Sequence, residues 1–214
     1  MVGVISNDTA RYAMFYIAKD ALRSPVNTRL QHMLTGDRIL GRNKLAKMAV
    51  DDGMEWLLFL DDDHTFGGEL LTRLLSHNVP IVGALYLQRQ MPFLPIAYAT
   101  KDDDGTYWPV DLTAHGENDL ITVRGLGTGG MLIRTEIFRE LPYPWFEHGT
   151  ASEDLIFCDR VYDAGLGPIY CDLGARMGHL SPAALWPTFT EGRWAAGFAL
   201  ADGFSVTVDY PEPD

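Results

Sequence analysis

WLLFLDDD, residues 56–63, is the stretch that decides the fold of this 214-residue chain. Its five apolar residues predict a short buried strand, and its three carboxylates place negative charge at the strand's carboxyl end, where open α/β sheets bind ligands. Alternate residues of an extended chain point to the same side. We therefore expect Asp61 and Asp63 to share a divalent cation that holds a diphosphate, while Asp62 faces elsewhere and caps the next turn. The alternative is an acidic turn in solvent, which is common after strands.

Strands and helices alternate on both sides of this stretch. The predicted strands lie at residues 2–6, 28–34, 56–60, 80–87, 131–133 and 168–171. The predicted helices lie at residues 10–22, 38–50, 68–76, 135–141 (capped by Thr135) and 152–164 (capped by Ser152). Such alternation predicts a mostly parallel, doubly wound sheet with helices on both faces.

Residues 88–120 interrupt the alternation. Two prolines, the acidic run at 102–105 and the Tyr107-Trp108-Pro109 cluster predict hairpins and long loops there. The chain has no internal repeat and no linker. We therefore expect one domain over residues 1–214, with parts at 2–87 and 88–180 and a packed tail at 181–214 that holds a late strand at 204–208.

Composition limits the classes of partner. The chain has 17 Lys and Arg against 29 Asp and Glu, a formal net charge of -12, which disfavours nucleic acid or an anionic membrane as the main partner. An acidic protein that binds phosphates needs a metal or a few placed basic residues. Cys158 and Cys171 predict reduced core thiols. With no apolar run of about 18 residues and no signal peptide, the sequence predicts a soluble protein of the cytoplasm. The oligomeric state stays open.

Six sequence blocks occur in a recognisable order. They are GRNKLA (41–46), WLLFLDDD (56–63), GTGGMLI (127–133), PWF (144–146), SED (152–154) and His179. Together they resemble the GT-A class of nucleotide-sugar glycosyltransferases, particularly family 2-like members, over about residues 2–180. The resemblance implies a Rossmann-like GT-A fold, a mostly parallel central sheet flanked by helices with a small antiparallel addition. It also implies that residues 2–87 bind nucleotide sugar and metal and that residues 88–180 bind the acceptor.

The Asp-X-Asp (DXD) element of that class holds a metal that bridges the two donor phosphates. By position it corresponds to Asp61 and Asp63, with Asp62 beside the donor, and the late histidine that often completes the metal site corresponds to His179. Carboxylates, phosphate oxygens and one imidazole suit Mn²⁺ or Mg²⁺. The alternative for His179 is a hydrogen-bonded histidine near a strand end. His64 also lies near the aspartates in sequence, and its role stays open.

The acidic pair Glu153-Asp154 resembles the motif at the start of the helix under the acceptor site. In inverting members one such carboxylate takes the proton from the acceptor hydroxyl, and we expect Asp154, with Glu153 second. The alternative is stabilisation of the helix N-terminus, worth about 0.3–1 kcal/mol. Trp145 and Phe146 suit sugar stacking or, more often for large aromatics, the core.

Three further residues are candidates for contacts with the nucleotide. Ser6 and Asn7 end the first strand, where this class contacts base and ribose, although both would also serve as helix caps. Arg42 lies near the nucleotide in similar sequences and would pair with phosphate or a base edge, unless it is a solvated helix residue. Glycines 127, 129 and 130 would let backbone approach a sugar, but they lack the order of a dinucleotide fingerprint.

The resemblance therefore implies a hexosyltransferase-type enzyme that moves a sugar from a UDP- or GDP-sugar to an unidentified acceptor hydroxyl, with inversion as in family 2. One alternative is a sugar-phosphate nucleotidyltransferase, which would need a basic glycine-rich loop after the first strand, where residues 6–12 offer only Arg11. The other alternative is a non-catalytic domain of the same fold that binds nucleotide or carbohydrate.

Overall fold

A computed structural model describes residues 1–6, 13–89, 92–180, 184–199 and 205–209. Up to residue 85 its elements are β1 (Val2–Ser6), α1 (Ala13–Ala21), β2 (Leu30–Leu34), α2 (Arg38–Asp51), β3 (Trp56–Asp61), β4 (His64–Phe66), α3 (Leu70–Ser76) and β5 (Ile81–Leu85). The later elements are β6 (Ala97–Lys101), β7 (Tyr107–Pro109), β8 (Leu120–Val123), β9 (Gly125–Leu126), β10 (Met131–Arg134), α4 (Thr135–Glu140), α5 (Glu153–Asp163), β11 (Ile169–Leu180), β12 (Ala184–Thr190), β13 (Arg193–Ala199) and β14 (Ser205–Asp209).

The central sheet is large and mostly parallel, which confirms the predicted fold class. Its strand order is β14-β13-β12-β11-β5-β10-β3-β1-β2. Strands β2, β1, β3, β5 and the first part of β11 run the same way, and β10 runs antiparallel between β3 and β5. Because Ile5 of β1 pairs with Asp61 of β3, the carboxyl ends of these two strands lie side by side.

The apolar run of β3 is continuous because both faces of the strand are buried. Leu57 and Phe59 belong to the core cluster on the side of α2, α4 and α5. Leu58 and Leu60 belong to the cluster on the side of α1 and α3. All four side chains are completely buried, so the carboxylates that follow are fixed at the edge of a rigid core.

Strand β11 is longer than the sequence predicted. The prediction ended at residue 171, but the strand runs for 12 residues and passes through an irregularity between Asp172 and Arg176. The buried Asp172 carboxylate accepts hydrogen bonds there from the amides of Gly174 and Ala175, at 2.9 and 3.3 Å, so a turn-like sequence is accommodated inside the strand. His179 therefore lies within the strand and pairs with His64 of β4.

Two groups of antiparallel strands add to the parallel part of the fold, and the small separate sheet confirms the predicted antiparallel addition. Strands β6, β7 and β9 form a separate three-stranded sheet. Strands β12, β13 and β14 extend the central sheet in antiparallel order beyond β11. The predicted late strand corresponds to β14, and Phe204 lies outside the described residues.

The two predicted helix caps have different outcomes. The Thr135 prediction is wrong, since Thr135 is the first residue of α4 and its hydroxyl donates to the carbonyls of Met54 and Glu55. Ser152 is the N-cap residue of α5 as predicted, but its hydroxyl donates to Asp154 instead of accepting from a helix amide. Helix α1 begins at Ala13 within the described residues. No helix in the described part of the chain is both long and apolar enough to cross a bilayer.

Asn43 fixes the segment that precedes the acidic pair. Its buried side-chain amide donates to the Phe146 carbonyl at 2.8 Å, and its carbonyl oxygen accepts from the amides of Trp145 and Phe146 at 2.9 and 3.1 Å. Trp145 and Phe146 are 6% and 0% exposed, so both belong to the core. Asn43 thus links α2 to the loop that leads into α5.

Substitution Asn43→Ala should lower the free energy of unfolding by about 2–4 kcal/mol, because it leaves buried main-chain groups without partners. Urea unfolding followed by tryptophan fluorescence measures the effect. The exposed Asn27→Ala is the control and should change stability by no more than about 0.5 kcal/mol. Equal midpoints for the two variants would contradict this account of the Pro144-Trp145-Phe146 segment.

Candidate functional site

A cleft of about 530 Å³ opens where β1 and β3 end. Ile5, the Asp61-Asp62-Asp63 run, Arg42, Arg89 and His148 are among its lining residues. This is the edge of a parallel sheet at which α/β proteins bind ligands. Ser6 ends β1 beside the cleft, and Asn7 lies outside the described residues.

Arg42 joins the cleft to helix α5. Its Nη1 and Nη2 donate to the two carboxylate oxygens of Asp61, each at 3.1 Å, and its Nε donates to Glu153 Oε1 at 3.2 Å. The Arg42 and Glu153 side chains are each only 4% exposed. Burial acts to lower the pKa of Arg42, but the negative charges of Asp61, Glu153 and Asp154 raise the pKa by more than burial lowers it. The guanidinium is therefore held permanently charged. Breaking either pair would leave a buried charge uncompensated.

Glu153 also binds a second guanidinium. Arg38 Nε lies 2.9 Å from Glu153 Oε1 and 3.0 Å from Oε2. With both oxygens engaged by arginines, the Glu153 carboxylate serves to orient α2 against α5. This geometry favours Asp154 over Glu153 as a proton acceptor.

Asp154 has a different environment although it is the next residue. It is half-buried, and its Oδ1 accepts from the Leu155 amide at 2.9 Å and from the Ser152 hydroxyl. Burial raises the pKa of Asp154, and the charge of Glu153 raises it further, against the opposing effects of Ser152 and Arg42. A raised pKa suits a carboxylate that must take up a proton during a reaction.

Asp63 lies between two imidazoles and one guanidinium. Its Oδ1 is 3.0 Å from His64 Nδ1, and its Oδ2 is 3.5 Å from His179 Nε2 and 2.9 Å from Arg89 Nη2. Burial acts to raise the pKa of Asp63, but His179 and His64 lower it more, and the net pKa is well below the usual range. The carboxylate is therefore ionised at neutral pH.

One ring nitrogen of His179 faces this carboxylate and the other faces a backbone carbonyl. Its Nδ1 lies 2.8 Å from the carbonyl oxygen of Leu87, and since a carbonyl only accepts, Nδ1 carries the proton. In the neutral ring Nε2 then has a lone pair directed toward Asp63, an arrangement that is repulsive unless a proton or a cation lies between them. A backbone carbonyl on the second ring nitrogen is the usual support of a metal-binding histidine.

Nδ1 of His64 faces Asp63 Oδ1 at 3.0 Å, whereas its Nε2 has no hydrogen-bond partner within the part of the chain described, although the side chain is only 2% exposed. The His64 ring stacks on His179 with 4.5 Å between centroids. A buried polar atom without a partner calls for an explanation such as a bound water or ion. Potential ligand atoms of Asp63, His64 and His179 all lie within 4.8 Å of one another. One carboxylate and two imidazoles form a donor set that fits a divalent cation.

The main chain at Gly129 packs directly against these side chains. A Cβ atom on this residue would lie 2.8 Å from His64 Cε1 and 3.2 Å from both Asp61 Oδ2 and Tyr86 Oη. The Gly129 amide donates to Tyr86 Oη at 3.2 Å. Only glycine therefore lets the main chain approach the predicted metal ligands this closely. The predicted close backbone approach of residues 127–130 is directed at these side chains.

Sequence reasoning placed Asp61, Asp63 and His179 in one cation site, and the structure arranges them differently. Asp63 and His179 meet, Asp61 faces Arg42, and His64 takes the third position. His64 and Arg89 were not among the predicted site residues. Their sequence signals are modest. His64 lies three residues beyond the end of β3, and Arg89 lies four residues beyond the end of β5.

Solved structures show where the same fold occurs. A197 from STIV matches with a TM-score of 0.58 and 13% identity, over 100% of this chain and 96% of that one. GalNAc-T7, crystallised with UDP, GalNAc and Mn²⁺, matches with a TM-score of 0.57 and 12% identity, over 85% of this chain and 44% of that one. TarS 1–349 from S. aureus has a TM-score of 0.45 and 14% identity, over 79% of this chain and 57% of that one.

At these identities the likeness to A197 and GalNAc-T7 shows the fold alone, and the fold is that of GT-A glycosyltransferases. This chain spans less than half of GalNAc-T7. No protein-family model and no curated protein matches the sequence.

The Asp63-His64-His179 cluster predicts a measurable Mn²⁺ site. His64→Ala and His179→Ala should each weaken Mn²⁺ binding at least about tenfold, since loss of even a supporting group typically costs roughly 10–100-fold. Isothermal titration calorimetry measures both affinities. The control is His115→Ala, because His115 pairs only loosely with Asp119, at 3.9 Å. Wild-type affinity in both cluster variants would contradict the assignment.

Proposed function

We propose that this protein is a metal-dependent glycosyltransferase that moves a sugar from a nucleoside diphosphate donor to an acceptor hydroxyl, with inversion at the anomeric carbon. The observation that supports this most is the cluster of the buried His64 and His179 with Asp63, which lines the cleft where β1 and β3 end. The GT-A fold supports the general kind of activity. The donor is a UDP- or GDP-sugar, and the acceptor is unidentified.

Asp63, His64 and His179 would hold the cation, with Asp61, whose two oxygens accept from Arg42, as the further predicted ligand. A carboxylate and two imidazoles favour Mn²⁺ over Mg²⁺, which prefers oxygen ligands and keeps its water. When bound, such an ion supplies Lewis-acid stabilisation of the negative charge that develops on the departing diphosphate. The GT-A neighbour GalNAc-T7 was crystallised with UDP and Mn²⁺.

The chain's own residues orient the donor around this point. Arg42 holds Asp61 in place through two hydrogen bonds. Ile5 and Asp62 line the cleft beside it, where the nucleotide would lie, and the contacts of Ser6 and Asn7 with base and ribose stay predictions. Gly129 lets the main chain pack closely against Asp61 and His64.

Asp154 is the proposed base. The acceptor oxygen attacks the anomeric carbon as the carbon–oxygen bond to the diphosphate breaks, the diphosphate leaves with the bonding electrons, and Asp154 takes the hydroxyl proton. Asp154 directly follows Glu153, whose carboxylate binds the cleft residue Arg42. Glu153, held by two arginines, positions helix α5 so that Asp154 reaches the acceptor.

Substitution Asp154→Asn should lower the transfer rate by about 10²–10⁴-fold while Mn²⁺ and nucleoside diphosphate affinities stay unchanged. Single-turnover transfer and calorimetry measure the two properties. Asp163→Asn, at the exposed end of the same helix, is the control and should retain full activity. Unchanged turnover in Asp154→Asn would remove Asp154 from the mechanism, and wild-type protein that binds donor without transfer would favour a non-catalytic domain.

The pH dependence of transfer should report the ionisation of Asp154. Because its pKa is raised by burial and by Glu153, activity should rise with pH above the ordinary aspartate range. Glu153→Gln removes a neighbouring negative charge, lowers the pKa of Asp154 and should move the rising limb of the pH–rate profile to lower pH. A limb that stays in place, or moves to higher pH, would contradict the assignment of Asp154 as the base.

A further inference from the structure

Arg89 binds the same carboxylate as the proposed cation. Its Nη2 lies 2.9 Å from Asp63 Oδ2, the oxygen that also faces His179 Nε2 at 3.5 Å. Its Nη1 donates to the Leu180 carbonyl at 3.2 Å. The side chain is 41% exposed and lines the cleft, so it can move without opening the core.

The other arginines of the cleft are held differently. Arg42 is buried between Asp61 and Glu153, and Arg38 pairs with Glu153 on the α5 side. Among the described residues, Arg89 is the cleft arginine whose ion-pair partner is Asp63. It is therefore the cation that an ion bound to Asp63 and the two histidines would most directly replace.

Replacement of Arg89 by a divalent ion as the partner of Asp63 would change the charge that Arg89 faces. A divalent ion on Asp63 neutralises that carboxylate and repels the guanidinium beside it, so the Arg89–Asp63 pair weakens. Arg89 would then face a cleft that holds a diphosphate. Guanidinium groups bind phosphate oxygens through paired, charge-assisted hydrogen bonds, which are stronger than an exposed ion pair.

We propose that Arg89 is an exchangeable counter-ion, which gives up Asp63 to the divalent cation and then binds the diphosphate of the donor. This inference rests on the proposed function, because it assumes a nucleoside diphosphate in the cleft. Arg89 opposes binding of the metal alone and favours binding of the diphosphate after the metal. The guanidinium thereby makes the two ligands bind in order.

This role predicts that loss of Arg89 changes the Mn²⁺ affinity and the nucleotide affinity in opposite directions. Arg89→Ala should tighten Mn²⁺ binding in the absence of nucleotide by about two- to fivefold, the contribution of an exposed ion pair that no longer competes. With saturating Mn²⁺, the same variant should bind UDP or GDP, whichever the wild type prefers, about tenfold more weakly, because charge-assisted hydrogen bonds to phosphate are lost. Both affinities are measured by isothermal titration calorimetry.

Two further variants isolate the mechanism. Arg29→Ala is the matched control, since Arg29 pairs with Asp52 and is 46% exposed, and it should change neither affinity. Arg89→Lys keeps the charge without the paired donors, so it should retain the wild-type Mn²⁺ affinity more closely than its nucleotide affinity.

The possible outcomes distinguish a failure of this inference from a failure of the proposed glycosyltransferase function. If wild-type protein binds Mn²⁺ and nucleotide but Arg89→Ala changes both affinities in the same direction, or neither, the exchange is wrong and the glycosyltransferase proposal stands. If wild-type protein binds no Mn²⁺, the exchange and the metal site are both wrong. Opposite changes in the two affinities would support the exchange directly.

Discussion

Charge balance around the carboxylates at the end of β3 is the constraint on which the arrangement of this site depends. The chain has a formal net charge of -12, and its sequence places three aspartates in a row where a buried strand ends. The fold gives Asp61 and Asp63 different partners. Asp61 is neutralised by the buried Arg42, and Asp63 lies beside two imidazoles and the partly exposed guanidinium of Arg89. Each pairing fixes a different element against β3.

The Arg42 pairings connect the two halves of the proposed reaction. A buried guanidinium is stable only if its hydrogen bonds are satisfied, and Arg42 meets this condition with one carboxylate from β3 and one from α5. Glu153 and Asp154 are consecutive, but their surroundings give them different properties. Two arginines hold Glu153, whereas burial and the adjacent negative charge raise the pKa of Asp154. Such contrasts between neighbouring carboxylates separate a structural group from a proton acceptor.

The sequence predicted the elements best where hydrophobic patterns are strong. The run at 56–60 predicted a short buried strand, and both faces of β3 are buried in the structure. The pairing of β3 with β1 was not predicted. The length of β11 was not predictable, because Asp172 and Gly174 resemble a turn in the sequence. The strand continues through them because the Asp172 carboxylate accepts hydrogen bonds from Arg73 of α3 and from the Gly174 amide. The pairing of His179 with His64 depends on that length. The pairing of Arg42 with Asp61 also depends on the distant Glu153, which no local pattern reveals.

The central claim is that Asp63, His64 and His179 hold one divalent cation. Crystals grown with Mn²⁺ and UDP, with data recorded at the manganese absorption edge, test it most directly. The account predicts an anomalous peak about 2.0–2.3 Å from an oxygen of Asp63 and from a ring nitrogen of each histidine, the usual range for such ligands. A peak elsewhere in the molecule, or its absence at full Mn²⁺ saturation, would contradict the account.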